Sequence, residues 1–157
     1  MFLERLFGRR SIISSPNAIV RCGKTPVGLR VSHYPNQVRA AVGIPSGYEF
    51  TWVYSTTLAA TDEDVTIQEF GCFSWVAGRW VFSNFARKPF GRDEFAEWYS
   101  CPEARIRTGR DYVDPKNWSG NRYLQAGRAR WVYIGRTDAG KLVRGDSELQ
   151  ALPERVD

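Results

Sequence analysis

Apolar residues in this chain recur at every second position over its central third, the spacing of strands that bury one face. In Tyr48-Glu49-Phe50-Thr51-Trp52-Val53-Tyr54-Ser55 the aromatic residues alternate with mostly polar ones, which predicts a half-buried strand. A polar link over 56–64 leads to a second run, with Val65 and Ile67 on one side and Thr66, Gln68 and Phe70 on the other. Phe73-Ser74-Trp75 and Arg79-Trp80-Val81-Phe82 then flank Val76-Ala77-Gly78, and a glycine between two aromatic runs predicts a hairpin turn. Upstream, strands are expected at 18–22, 27–31 and 38–44, punctuated by Gly23-Lys24-Thr25-Pro26 and Tyr34-Pro35-Asn36.

Downstream of the hairpin the period changes. Residues 93–99 place Asp93 and Glu94 in a first turn, where the helix dipole favours acids, and Phe95, Trp98 and Tyr99 at i, i+3 and i+4, which predicts a short helix ending before Cys101-Pro102. Residues 105–110 read as a charged strand or loop. Residues 111–127, with Pro115, Gly120 and Gly127, read as the longest irregular stretch and as the best location for a site. A strand at 128–134 and a turn at 137–141 into Leu142-Val143 complete the pattern.

These elements predict an all-β fold: an antiparallel β-sandwich of about eight or nine strands carrying one short helix. At 157 residues the chain suits one core, and it divides into an arm (1–10), a sandwich domain (11–150) and a polar tail (151–157) expected to be loose. In the arm, Phe2, Leu3, Leu6 and Phe7 fall on one side of a short helix, with Glu4, Arg5 and Arg9 mostly opposite. Two turns are marginal alone in water, so the arm is expected to dock on its own domain, on a partner protein or, aided by Arg9 and Arg10, at a membrane surface.

Composition narrows the chemistry more than it identifies it. The net charge of +5 comes almost wholly from arginine, with Lys only at 24, 88, 116 and 141. Cys22, Cys72 and Cys101 show neither a CxxC spacing nor partner histidines, which argues against zinc or thiol redox chemistry and for buried, unpaired thiols. The single histidine, His33, precedes Tyr34-Pro35 and is expected at a surface turn. Asp62, Glu63 and Asp64 lack a calcium-loop pattern even with Asp111 and Asp114 in reach, and Glu94 and Glu97 lie on an exposed helix that gives no desolvated pocket for glycosidase chemistry. No metal, no cofactor and no catalytic constellation is therefore expected. No run reaches the roughly 18 apolar residues of a bilayer span. Arg9-Arg10 is followed by the polar Ser14-Ser15-Pro16-Asn17, so no cleavable signal is read and a cytoplasmic or membrane-peripheral location is expected.

An aromatic strand, a polar turn, a second strand, a connection and a final hairpin together resemble the broad immunoglobulin or fibronectin-III-like class over 18–149. The resemblance is one of shape, since the Cys-Trp-Cys spacing of antibody domains is missing, and it implies no ligand or activity. Three functions then compete. The first expectation is a non-catalytic accessory or binding subunit that grips protein partners in a larger assembly through Phe2, Leu3, Leu6, Phe7, Arg9, Arg10, Trp118, Tyr123, Arg128 and Arg130. The second is a carbohydrate-binding sandwich, with Trp118, Tyr123 and one of the hairpin tryptophans as a stacking platform and Asn117, Asn121 and Asp114 taking hydroxyls. The third is nucleic-acid binding by Arg105, Arg107, Arg110, Arg122, Arg128 and Arg130, opposed by 17 acids along the chain.

Overall fold

A computed structural model describes residues 23–43, 46–84 and 87–157. The N-terminal arm, with Phe2, Leu3, Leu6, Phe7, Arg9 and Arg10, and the strand expected at 18–22 lie outside the described residues.

The alternating runs form strands close to where the pattern puts them. Leu29–Tyr34 (β1), Gln37–Val42 (β2), Phe50–Ala60 (β3), Val65–Val76 (β4) and Arg79–Phe82 (β5) precede the helix Arg92–Trp98 (α1). After a 3-10 turn at Pro102–Ala104 come Arg105–Ile106 (β6), Asp111–Asn121 (β7), Gly127–Thr137 (β8) and Leu142–Arg155 (β9). The β4–β5 hairpin turns on Ala77 and Gly78, both at positive φ (49° and 79°), as a two-residue turn matching strand twist requires. Acids at Asp93 and Glu94 open α1, and the Glu94 carboxylate accepts the Gly91 N–H at 3.1 Å.

All nine strands belong to one curled sheet, and the sheet is mixed rather than antiparallel throughout. β1 and β2 both run antiparallel to the same edge of β3, β1 against Ser55–Ala60 and β2 against Phe50–Trp52. They thus point the same way, one extended run broken at Pro35-Asn36, and their free edge meets β9 in parallel: Gln37 opposite Gln150, Val38 opposite Ala151. From β9 the order continues antiparallel through β8 to β4, whose far edge carries β5 and β6, while β7 lines the other edge of β3. The sheet does not close, because no strand pair joins β7 to β4, β5 or β6 among the described residues.

Two expectations change with this topology. Residues 111–121 form a strand paired with β3 along its length, not an irregular loop. The segment 151–157 is not loose up to Arg155, because β9 extends that far beside β2 and the Val156 N–H donates to the Ala40 carbonyl at 2.8 Å.

The inner face carries the main core, including Tyr54, Leu58, Ile67, Phe70, Tyr133 and Leu149. α1 plugs one end of it: Phe95 stacks on Tyr99 with ring centres 4.2 Å apart, and Phe70 meets Phe95 edge-on at 5.6 Å. A smaller cluster of Phe73, Val132 and Ile134 forms on the outer face beneath Trp80, Phe82 and Leu142. Cys72 and Cys101 are buried free thiols, and burial pushes them up to about 12 and about 11, far from a reactive thiolate. Among the described residues no helix is long and apolar enough to cross a membrane.

Candidate functional site

The site is shaped by an irregularity in β7. Its pairing with β3 slips between Tyr54, which faces Asn117, and Thr56, which faces Asp114, so Pro115 and Lys116 bulge outward. Pro115 is tolerated because β7 is an edge strand and a missing N–H there breaks no ladder. The bulge turns two polar side chains three residues apart, Asp114 and Asn117, into the interior, where both are buried. The Lys116 N–H donates to Asp114 Oδ1 at 3.0 Å and fixes the carboxylate.

Opposite these residues the sheet is open, and a cleft of about 280 Å³ fills the gap. β7 supplies Asp114, Lys116, Asn117 and Trp118, the segment around α1 supplies Phe90 and Trp98, and β8 supplies Trp131. Phe90 meets Trp98 at 4.7 Å and lies 6.5 Å from Trp131 with ring planes 18° apart. A neighbouring hollow, also bordered by Phe90, Trp118 and Trp131, adds Tyr48, Ser83 and Asn84. The walls are therefore aromatic, and the buried charge is a single carboxylate. Asp114 is 8% exposed, and burial holds its pKa above the ordinary value.

Behind the walls lies a chain of hydrogen bonds. Trp131 Nε1 donates to the Tyr54 hydroxyl at 2.7 Å, and that hydroxyl meets Ser119 Oγ at 3.0 Å. Asn117 Nδ2 donates to Thr56 Oγ1 at 2.9 Å, while its carbonyl oxygen accepts the Trp118 N–H at 2.9 Å. His33 Nδ1 sits 2.9 Å from the same Thr56 hydroxyl, and its Nε2 sits 3.2 Å from the Ser147 carbonyl. Tyr99 and Tyr133 pair their hydroxyls at 2.6 Å. His33 is thus not a surface histidine: it is buried on β1 with its ring edge against Tyr54, and burial lowers its pKa to about 4.

The residues singled out from sequence divide among separate places. Trp118 lines the cleft, whereas Tyr123 is 60% exposed in the connection after β7, with Arg122 over its ring. Arg128 and Arg130 lie on the outer face of β8: Arg128 pairs with Glu148 at 2.9 Å and Arg130 with Asp146. Arg128 also stands 4.8 Å from the Trp75 ring and 5.2 Å from that of Trp80. Arg105, another arginine of the nucleic-acid hypothesis, is held between Asp64 at 3.0 Å and Asp138 at 2.6 Å. Asp64 accepts from the backbone and hydroxyl of Thr108, which together with Arg105 hold its pKa below the ordinary value, and Asp111 pairs with Arg30 at 3.8 Å. Among the described residues no three His, Cys, Asp or Glu side chains converge as a metal site. Sequence reasoning missed Phe90, Trp98 and Trp131 as site residues, because only the topology shows that they share a cleft.

No protein-family model and no curated protein matches the chain. Among solved structures it is similar to a Bordetella pertussis protein provisionally named ApaA, at 11% identity and a TM-score of 0.46, over 82% of this chain and 97% of that one. At that distance nothing about the neighbour's chemistry transfers.

Proposed function

We propose that this chain is a non-catalytic binding module, an accessory component whose ligand site is the aromatic cleft beside β7. The observation that carries this is the convergence of Phe90, Trp98, Trp118 and Trp131 from three parts of the chain around one buried carboxylate, in an open, concave space. Concave aromatic surfaces with few polar groups are built for capture. The titratable groups behind the cleft suit a scaffold better than a catalyst: His33 is committed to Thr56 and Ser147, and burial raises both described thiols. A two-layer, immunoglobulin-like wrapping of the curled sheet would make the cleft the unsealed side of the sandwich.

The test is nuclear magnetic resonance of the six tryptophan indoles during titration with a library of small polar and charged compounds. A ligand of this site shifts Trp98, Trp118 and Trp131 together and leaves Trp75 and Trp80 unmoved, and Trp118→Ala removes the response. If no ligand class moves the three as a group, the proposal fails.

A second reading rests on the outer face. Trp75 (40% exposed) and Val76 (51% exposed) project from the β4–β5 hairpin beside Arg128, and Trp with Arg is the composition of protein-interface anchors. Protein association through this hairpin keeps Arg128 and Arg130 as partner-binding residues. Co-purification of a partner that Trp75→Ala abolishes and Trp118→Ala spares is the expected signature; loss with neither change refutes it.

A further inference from the structure

The chemistry of the cleft goes further than its shape. A sugar ring asks for stacking and also for several free donors and acceptors around its edge. Here the polar groups are largely committed: both ends of the Asn117 amide are used within the protein, on Thr56 Oγ1 and the Trp118 N–H, and one oxygen of Asp114 is occupied by the Lys116 N–H. Trp131 spends its indole N–H on Tyr54 and offers the cleft only its ring. Beside the second Asn117 N–H and the Lys116 head, most of what the cleft offers is ring surface and one carboxylate. Aromatic rings attract cations through their quadrupole, the more strongly when desolvated. Lys116, the cation of the lining, is exposed, and a lysine's flexible stem lets its head reach out to solvent.

From this we propose that the cleft is a receptacle for an alkylated ammonium group, which Trp98, Trp118, Trp131 and Phe90 surround and Asp114 balances in charge. The inference rests on the cleft being the ligand site, as proposed above. Alkylation is the discriminating feature. A primary ammonium or a guanidinium entering the cleft would have three to five N–H donors to satisfy, against one carboxylate that is already half engaged. A quaternary ammonium carries its charge on methyl groups that need contact, not hydrogen bonds. A cleft of about 280 Å³ is also at the small end for ligand pockets, suited to one headgroup and not to an oligosaccharide.

The decisive comparison is choline against 3,3-dimethylbutan-1-ol, which has the same shape without the charge, titrated into the full chain at pH 8 with tryptophan fluorescence and indole resonances as readouts. Choline is expected to saturate and to bind at least tenfold more tightly than the neutral alcohol. Asp114→Asn, nearly isosteric, is expected to erase that preference, and Trp118→Ala to weaken both compounds. Tetramethylammonium should reproduce the response and ammonium chloride should not. Equal affinity for choline and its neutral analogue, or no response to choline, overturns the ammonium assignment. A monosaccharide that shifts Trp98, Trp118 and Trp131 where choline does not also overturns it, yet leaves the cleft as the ligand site. If choline binds as expected but Trp118→Ala has no effect on it, the binding lies elsewhere and the ammonium assignment to this cleft falls. The wild-type comparison stands even if a variant fails to fold.

Discussion

The two long edges of β3 end differently. On one side β2 passes it to β9 through parallel backbone pairing, and the residues behind that junction are fixed by short contacts: His33 bridges Thr56 and Ser147, and Gly145 lies directly against Leu29. On the other side β7 faces β4 and β5 across a gap that only side chains fill, and there the cleft forms. The contrast teaches where this fold can afford a ligand. Backbone pairing tolerates no foreign group between its strands, whereas a seam of aromatic side chains leaves room for one.

The largest effect is expected at the sealed side. A Cβ on Gly145 would stand 2.6 Å from Leu29 Cβ and 2.7 Å from the Leu29 carbonyl oxygen, so Gly145→Ala must push β1 off β9. A loss of about 3 kcal/mol or more in chemical denaturation is expected, or failure to fold. The same change at the open side, Gly120→Ala, meets the Tyr48 side chain from its Cβ to its ring, but Tyr48 is exposed and precedes β3, so the segment carrying it can shift without breaking a ladder. It should cost clearly less than Gly145→Ala, about 1–2 kcal/mol; equal losses at the two glycines would erase the distinction between the seams.

Next in size is the response to acid. The folded-state pKa of His33, about 4, lies below its ordinary 6.5, so the unfolded chain takes up the extra proton first. The contribution to stability is full above pH 6.5 and is lost as pH falls towards 4, on the order of 2–3 kcal/mol. Denaturation at a series of pH values checks this, and His33→Gln should flatten the profile across that window.

Asp114→Asn should act in the opposite direction, and weakly. Its raised folded-state pKa means that the ionised carboxylate disfavours the folded chain above that value, an effect absent at pH below the ordinary 3.8. At neutral pH the amide should therefore leave stability unchanged or raise it slightly, while the preference for a charged ligand over its neutral analogue is lost. A clear fall in melting temperature would mean that Asp114 holds the strand together and does not wait for a ligand. Smallest of all, Arg128→Ala on the outer face should cost about 0.5 kcal/mol or less, since its pairing with Glu148 is exposed.

What could be read in the sequence follows from how local the cause is. The β4–β5 turn is written in Ala77-Gly78, and α1 in its acids and its Phe95-Trp98-Tyr99 spacing; both appear where expected. β7 did not read as a strand because Pro115, Asn117, Ser119 and Gly120 are all poor strand formers, and its pairing comes from lying beside β3, not from its own propensity. His33 carried a legible signal that the neighbouring Tyr34-Pro35 obscured: Leu29, Val31 and His33 share one face of β1, and the face is buried at Leu29 and His33. The parallel β2–β9 pairing joins residues more than 110 apart and leaves no trace in either strand. The cleft was the least legible part, because it depends on a bulge in β7 bringing Asp114 and Trp118 opposite rings from two distant segments.

The parallel pairing of β2 with β9 also sets an order of events during synthesis. β2 leaves the ribosome more than 100 residues before β9, its partner besides β3, and among the described residues β9 alone connects by backbone pairing the half containing β3 and β7 to the half containing β4 and β8. Until that strand emerges, a nascent chain holds two groups of strands that no backbone ladder joins. Pairing at such sequence separation is slow to form, so the apolar surface that β9 completes stays open to aggregation until then.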